Sequence, residues 1–143
     1  MQMTDDELRA CCTYWRDMEY SDSGQSCVLA RGCYDGFHFL VTNSHGYIPC
    51  GYVNVALSAL NGKEWCDIKD IDCHGGLTFS GKYAPVTCED GWWIGWDYAH
   101  WGDFSPMISC ASEGERYDTA DVVRECVTVI RQVVDISTKG GAK

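Results

Sequence analysis

One stretch near the C-terminus constrains the fold more than any other part of the chain. Val122, Cys126, Val129, Val133 and Ile136 recur at alternating steps of four and three, and Val123, Val127, Ile130 and Val134 form a second stripe beside them. Asp118 is placed to cap a helix here and Asp121 suits the positive end of its dipole, so the pattern predicts a helix from Thr119 to Ile136. One apolar stripe is enough to pack on a sheet. The second calls for another partner, either an N-terminal helix or a second copy of the chain, and a homo-oligomer is expected on that ground. Arg124 and Arg131 are seven positions apart and so share one side of this helix. Residues 139–143 read as a flexible tail.

The rest of the chain supplies the sheet that such a helix needs. Thr4-x-x-Glu7 is a capping box, and Leu8, Cys11, Cys12, Trp15 and Met18 follow at helical steps, which predicts a first helix from Asp5 to Met18 stopped by Ser21-Asp22-Ser23-Gly24. Short runs broken by glycine then read as strands at Cys27–Ala30, Phe37–Thr42, Tyr47–Val55, Ile68–Cys73, Leu77–Ser80 and Trp92–Trp96. Asn43-Ser44-His45-Gly46 and Asn61-Gly62 are turn signals, and Tyr98 to Gly114 reads as a long ordered loop. The expected fold class is α+β: an N-terminal helix, an antiparallel sheet of about five to six strands and a long C-terminal helix. At 143 residues the chain fits one domain, taken as 1–138, with 1–45 read as a family-specific addition to a smaller unit.

Charge excludes some partners. A formal net charge of −10 opposes binding to a polyanion, so DNA, RNA and anionic membranes are not expected. No apolar run has the length to span a bilayer. Ten cysteines invite a disulfide reading, but Met1-Gln2-Met3-Thr4-Asp5-Asp6-Glu7 has neither a basic start nor an apolar core, so a reducing, cytoplasmic setting is expected. With no Cys-x-x-Cys pair, the cysteines read as small buried hydrophobes, and no metal or other cofactor is expected.

Chemistry concentrates between Asp72 and Phe104. Asp97-x-x-His100-x-x-Asp103, with His74 folded beside it, has the residue types of an acid/base or metal cluster. The same groups also commonly cap turns and bond backbone amides, and that reading is preferred because the spacing is not a specific metal motif. Trp93 and Trp96 are candidates for stacking on a purine; alternation places Trp92, Ile94 and Trp96 on one face of their strand and Trp93, Gly95 and Asp97 on the other. Arg124 and Arg131 are candidates for a phosphate.

The phrases Gly46-Tyr47-Ile48-Pro49-Cys50-Gly51-Tyr52-Val53, His74-Gly75-Gly76-Leu77-Thr78 and Gly95-Trp96-Asp97-Tyr98-Ala99-His100-Trp101-Gly102-Asp103 resemble a group of small phage and prophage proteins. Those proteins carry a His-Gly-Gly-Leu-Thr segment, then a Gly-Phe-Asp-x-Ala-His-x-Gly-Asp segment, then a terminal helix. In size, in a compact sheet with a long last helix, and in the arginines of that helix, the chain also resembles the Thoeris anti-defence nucleotide sponges. That resemblance implies a non-enzymatic protein that binds and sequesters a cyclic ADP-ribose-type or cyclic nucleotide immune signal; the residues themselves offer Trp93, Trp96, His74, Arg124 and Arg131 as its ligand contacts. Two alternatives stand beside it. One is a small metal-dependent or acid/base hydrolase of a phosphate or glycosidic bond, using His74, Asp97, His100 and Asp103. The other is an acidic inhibitor of a host enzyme.

Overall fold

The computed structural model describes residues 2–56, 71–106 and 113–141, the last three as backbone only. An N-terminal helix, six strands and a C-terminal helix follow in the order α1 (Asp5–Ala10), β1 (Cys12–Trp15), β2 (Cys27–Tyr34), β3 (Phe37–Ser44), β4 (Ile48–Asn54), β5 (Phe79–Tyr83), β6 (Asp90–Asp97) and α2 (Thr119–Gly141). The strands make one antiparallel sheet in the order β1-β2-β3-β4-β6-β5. The expected α+β class is the observed one. The turn before β4 also forms as expected, with His45 at φ 57° and Gly46 at φ 91°.

α1 starts at its capping box: the Thr4 hydroxyl accepts from the Glu7 amide at 3.2 Å and the Glu7 carboxylate accepts from the Thr4 amide at 2.9 Å. It ends at Ala10 rather than Met18, with Cys11 as C-cap. The physical reason is competition. Cys12-Thr13-Tyr14-Trp15 favours an extended backbone, and the free edge of β2 offers it a ladder, so the chain leaves the helix to pair Cys12 with Gly32 and Trp15 with Ala30. Cys11, Cys12, Trp15 and Met18 still pack against the core. Their apolar character was legible; their period was not.

α2 lies across the face of the sheet formed by Leu29, Phe39, Val41, Val53, Ile94 and Trp96. Val122, Val123, Cys126, Val127, Val129, Ile130 and Val133 are all at most 2% exposed. Both stripes therefore pack within one chain, against β2, β3, β4 and α1, with Val134 and Ile136 half-buried at the edge of the same core, and neither requires a second copy. A reciprocal cap closes the N-terminus of α2: the Asp121 amide donates to Asp118 Oδ1 at 2.9 Å, and the Asp118 amide donates to Asp121 Oδ2 at 3.0 Å. The helix continues through Gly141, past the expected stop at Ile136 and into the expected tail.

The other face of the sheet carries a smaller cluster of Leu40, Cys50, Tyr52, Ala84 and Trp93. β1, β2 and β3 fall within residues 1–45 and contribute Leu29, Phe39 and Val41 to the main core, so this segment is integral to the domain. Ile71–Cys73 forms no strand, and Ile68 to Asp70 lie outside the described residues, as do the Asn61-Gly62 turn, Cys66 and Cys110. No helix among the described residues is long and apolar enough to cross a membrane.

Candidate functional site

The side chains of α2 that do not enter the core form a polar face, and that face organises the site. Gln132 acts on Asp72 as a neighbouring peptide would: its carbonyl oxygen accepts from the Asp72 amide at 2.6 Å and its amide nitrogen donates to the Asp72 carbonyl at 2.8 Å. Two helical turns earlier, Glu125 Oε1 accepts from the His74 amide at 2.9 Å. These bonds pair backbone groups of Asp72 and His74 without a strand partner, so Ile71–Cys73 can run outside the sheet.

Held in this way, His74 meets the second half of the expected cluster. Its Nε2 is 2.9 Å from both carboxylate oxygens of Asp103, and Asp103 Oδ2 also accepts from the His100 amide at 2.8 Å. Asp97 bonds the Ala99 amide at 3.1 Å and the Thr78 hydroxyl at 2.9 Å. His100 Nε2 stands 3.4 Å from Asp97 Oδ1, close enough for charge pairing but without hydrogen-bond geometry, which leaves this buried nitrogen unsatisfied. The His100 ring lies directly over Gly75, where a Cβ would fall 2.2 Å from Nε2 and where φ is 69°. Only glycine fits both the backbone and the ring at that position.

Of the four residues of the acid/base reading, His74 and Asp103 are thus joined, and Asp97 and His100 form a second, looser pair. Both aspartates are also turn caps. Among the described residues no three His, Cys, Asp or Glu side chains converge as a metal-ligand set.

His74 is also enclosed by aromatic rings. Tyr98 stacks on it with centroids 4.3 Å apart and an interplanar angle of 18°, and Tyr117 meets it edge-on at 5.0 Å. These residues line one side of a cleft of about 780 Å³, whose other side is the polar face of α2 with Asp121, Arg124, Glu125, Thr128 and Arg131. Three of the expected ligand residues, His74, Arg124 and Arg131, therefore come together in one cleft.

The other two do not join them. Trp93 and Trp96 lie on opposite faces of β6, 2% and 1% exposed. Trp96 packs onto Gly51, where a Cβ would meet its ring at 2.4 Å, and its indole donates to the Tyr98 hydroxyl at 3.3 Å. The Trp93 indole donates to the Glu89 carbonyl at 3.0 Å. Both indoles are packing elements, and the aromatic surface of the cleft is tyrosine. Tyr117 and Glu125 were missed at the sequence level. The readable signal for Glu125 was the 3–4 spacing of Asp121, Arg124, Glu125, Thr128, Arg131 and Gln132 on the side of α2 away from its stripes.

The electrostatics of the cleft are mixed. Asp72, Glu115, Asp121 and Glu125 face Arg124 and Arg131. Arg124 is already engaged, donating to Asp5 Oδ1 at 2.9 Å and lying 3.7 Å from Asp121. Arg131 donates to the Tyr34 hydroxyl at 3.2 Å, with its guanidinium over the Tyr34 ring. Burial raises the Glu125 carboxyl above its ordinary value, against the opposing effect of the His74 amide and ring. Burial also pushes the Cys73 thiol up to about 12, which removes it as a nucleophile near neutral pH.

Comparison of the chain with protein-family models, with curated proteins and with solved structures returns no match.

Proposed function

We propose that this chain is a phage-encoded binding protein, working in the cytoplasm of a bacterial host, that captures a nucleotide-type immune signal in the His74–Arg131 cleft and holds it without cleaving it. The observation that carries the reading is the convergence of His74, Arg124 and Arg131, with Tyr98 and Tyr117, on one cleft of about 780 Å³. That volume is of the order found for small-molecule sites. Tyr117, half-buried at the cleft, takes the stacking role first assigned to Trp93 and Trp96, and Tyr98 backs His74 from the core side.

The charge balance favours one kind of ligand within this class. Carboxylates outnumber guanidiniums, and Arg131 is the arginine whose bond to Tyr34 is easily exchanged for a phosphate. Glu125, Asp121 and Asp72 suit hydroxyl donors. A cyclic ADP-ribose-type molecule carries as many phosphates per ribose as a cyclic oligonucleotide but keeps more free ribose hydroxyls, and so matches this set better. Self-association is part of the proposal, on the exposed edge of α2 at Thr128 and Arg131, where a second copy would close the cleft.

A second reading has its own observation. Asp103, 4% exposed, orients His74 as the acidic partner of a general base would. The two readings part in one experiment. Purified protein is incubated with cyclic ADP-ribose and, separately, with a cyclic dinucleotide; bound material is isolated, the protein is heat-denatured, and the released compound is identified by mass. Unchanged cyclic ADP-ribose, bound by the wild type and lost with Arg131→Ala, supports capture. A cleaved product that disappears with His74→Ala establishes the hydrolase instead.

A further inference from the structure

Away from the cleft, residues 16–26 connect β1 to β2 without regular secondary structure, yet bonds to distant parts of the chain pin them in place. The Arg16 amide donates to the Leu29 carbonyl at 2.6 Å, and the Arg16 carbonyl accepts from the Thr119 hydroxyl at 2.6 Å. The Ser21 amide donates to the Gly46 carbonyl at 2.8 Å, and the Ser26 hydroxyl accepts from the His45 amide at 3.0 Å. Gly46 permits this closure, since a Cβ there would lie 2.8 Å from Ser21 Oγ and 2.9 Å from Ser23 Oγ. The connection borders a small polar pocket of about 120 Å³, lined by Arg16, Glu19, Ser21, Ser23, Ser26 and Asn43 among others.

Asn43 is the residue that points to a ligand. It is 4% exposed, its Nδ2 donates to the Glu19 carbonyl at 3.1 Å, and its Oδ1 is buried without a donor. A backbone carbonyl can only accept, so that bond fixes which way round the amide stands and leaves Oδ1 to be satisfied from the pocket. Among the described residues neither the Arg16 guanidinium nor the Glu19 carboxylate has a salt-bridge partner, so one charge of each sign borders the pocket unpaired. A water molecule takes about 30 Å³, so 120 Å³ suits a ligand of a few heavy atoms and not a nucleotide.

We propose that this pocket binds a small zwitterion of the α-amino acid class, glycine or alanine in size. The ammonium donates to Asn43 Oδ1 and the Glu19 carboxylate, and the ligand carboxylate accepts from Arg16. A simple cation would face Arg16, and a simple anion would face Glu19 and Asn43 Oδ1. A molecule carrying both charges satisfies all three groups. The pocket shares no lining residue with the cleft at His74, so the two sites fill independently.

The test titrates isotope-labelled protein with glycine and with alanine, and separately with methylammonium, acetate and potassium ions, following the amide NMR signals. Saturable shifts with glycine or alanine are expected at Ser21, Gln25 and His45, with His74 unmoved and no such shifts from the three singly charged ions. Arg16→Gln and Glu19→Gln, both at exposed positions, should keep the wild-type spectrum elsewhere and each weaken binding about tenfold or more, the loss of one charge-assisted bond. No saturation with either amino acid overturns the proposal. The same shifts from potassium or methylammonium would make the pocket a cation site only, and binding indifferent to both substitutions would place the ligand elsewhere; either result also overturns it.

Discussion

His74 Nε2 stands 2.9 Å from both carboxylate oxygens of Asp103, and Asp103 itself is 4% exposed. One buried carboxylate thus serves two donors, the imidazole and the His100 amide, and ties the segment after residue 71 to the loop after β6. Asp103→Ala would leave both donors without their acceptor, each loss costing about 1–3 kcal/mol. Asp103→Asn keeps one acceptor oxygen and should cost less. Denaturant unfolding of the two variants checks the order, and equal losses would show that the carboxylate does not act through both bonds.

Gln132 makes two hydrogen bonds to the backbone of Asp72, and no strand shares that work. Gln132→Ala should lower stability by about 1–3 kcal/mol and should speed hydrogen exchange at the Asp72 amide far more than at β3 amides. Gln132→Glu can accept from the amide but cannot donate to the carbonyl, so it should fall between. Exchange rates followed by NMR separate these outcomes.

Glu125 is half-buried, and its carboxyl is raised above 4.5 chiefly by that burial. An acid that is harder to ionise in the folded state binds more protons there than in the unfolded chain. Its contribution to stability is therefore fully present below 4.5 and declines as pH rises through the raised folded value. Glu125→Gln still accepts from the His74 amide and removes the ionisation. Relative to wild type it should gain stability toward neutral pH, with the difference shrinking as pH falls to 4.5 and below. Melting curves across this range check the sign, and a growing difference on acidification would contradict the burial argument.

Trp96 and Trp101 are five residues apart yet 1% and 95% exposed. Trp96→Ala should cost about 3–5 kcal/mol by opening the core over Gly51. Trp101→Ala should stay within about 0.5 kcal/mol of wild type. Unfolding free energies decide this, and a small effect at Trp96 would mean that the ring is not part of the packing.

The same core sets the outcome for the α2 stripes. Val133 is 0% exposed against the sheet of its own chain. Val133→Lys should destabilise the monomer by about 3 kcal/mol or more, because it places an unpaired charge in an apolar layer. Loss of cooperative melting at every protein concentration is the expected result; dissociation of an intact fold would place Val133 at an interface between copies.

The α+β class, both helix starts, the turn at Gly46 and the alternation of Trp93 against Trp96 were readable because each depends on neighbours in the chain: a cap, a period, a permitted φ. The end of α1 was not, since Cys12–Trp15 can continue a helix or join a strand and the edge of β2 decides between them. The second stripe of α2 signalled a broad buried face without saying what would cover it. The residue types of the site were legible as well, and its membership was not. His74, Arg124 and Arg131 share a cleft because Gln132 and Glu125 bind the backbone of a segment more than fifty positions away, whereas the indoles of Trp93 and Trp96 went to the core. Local preference is written in short windows of the chain; which surfaces meet is settled by long-range burial and by the need to pair every enclosed backbone group, and those depend on the whole fold.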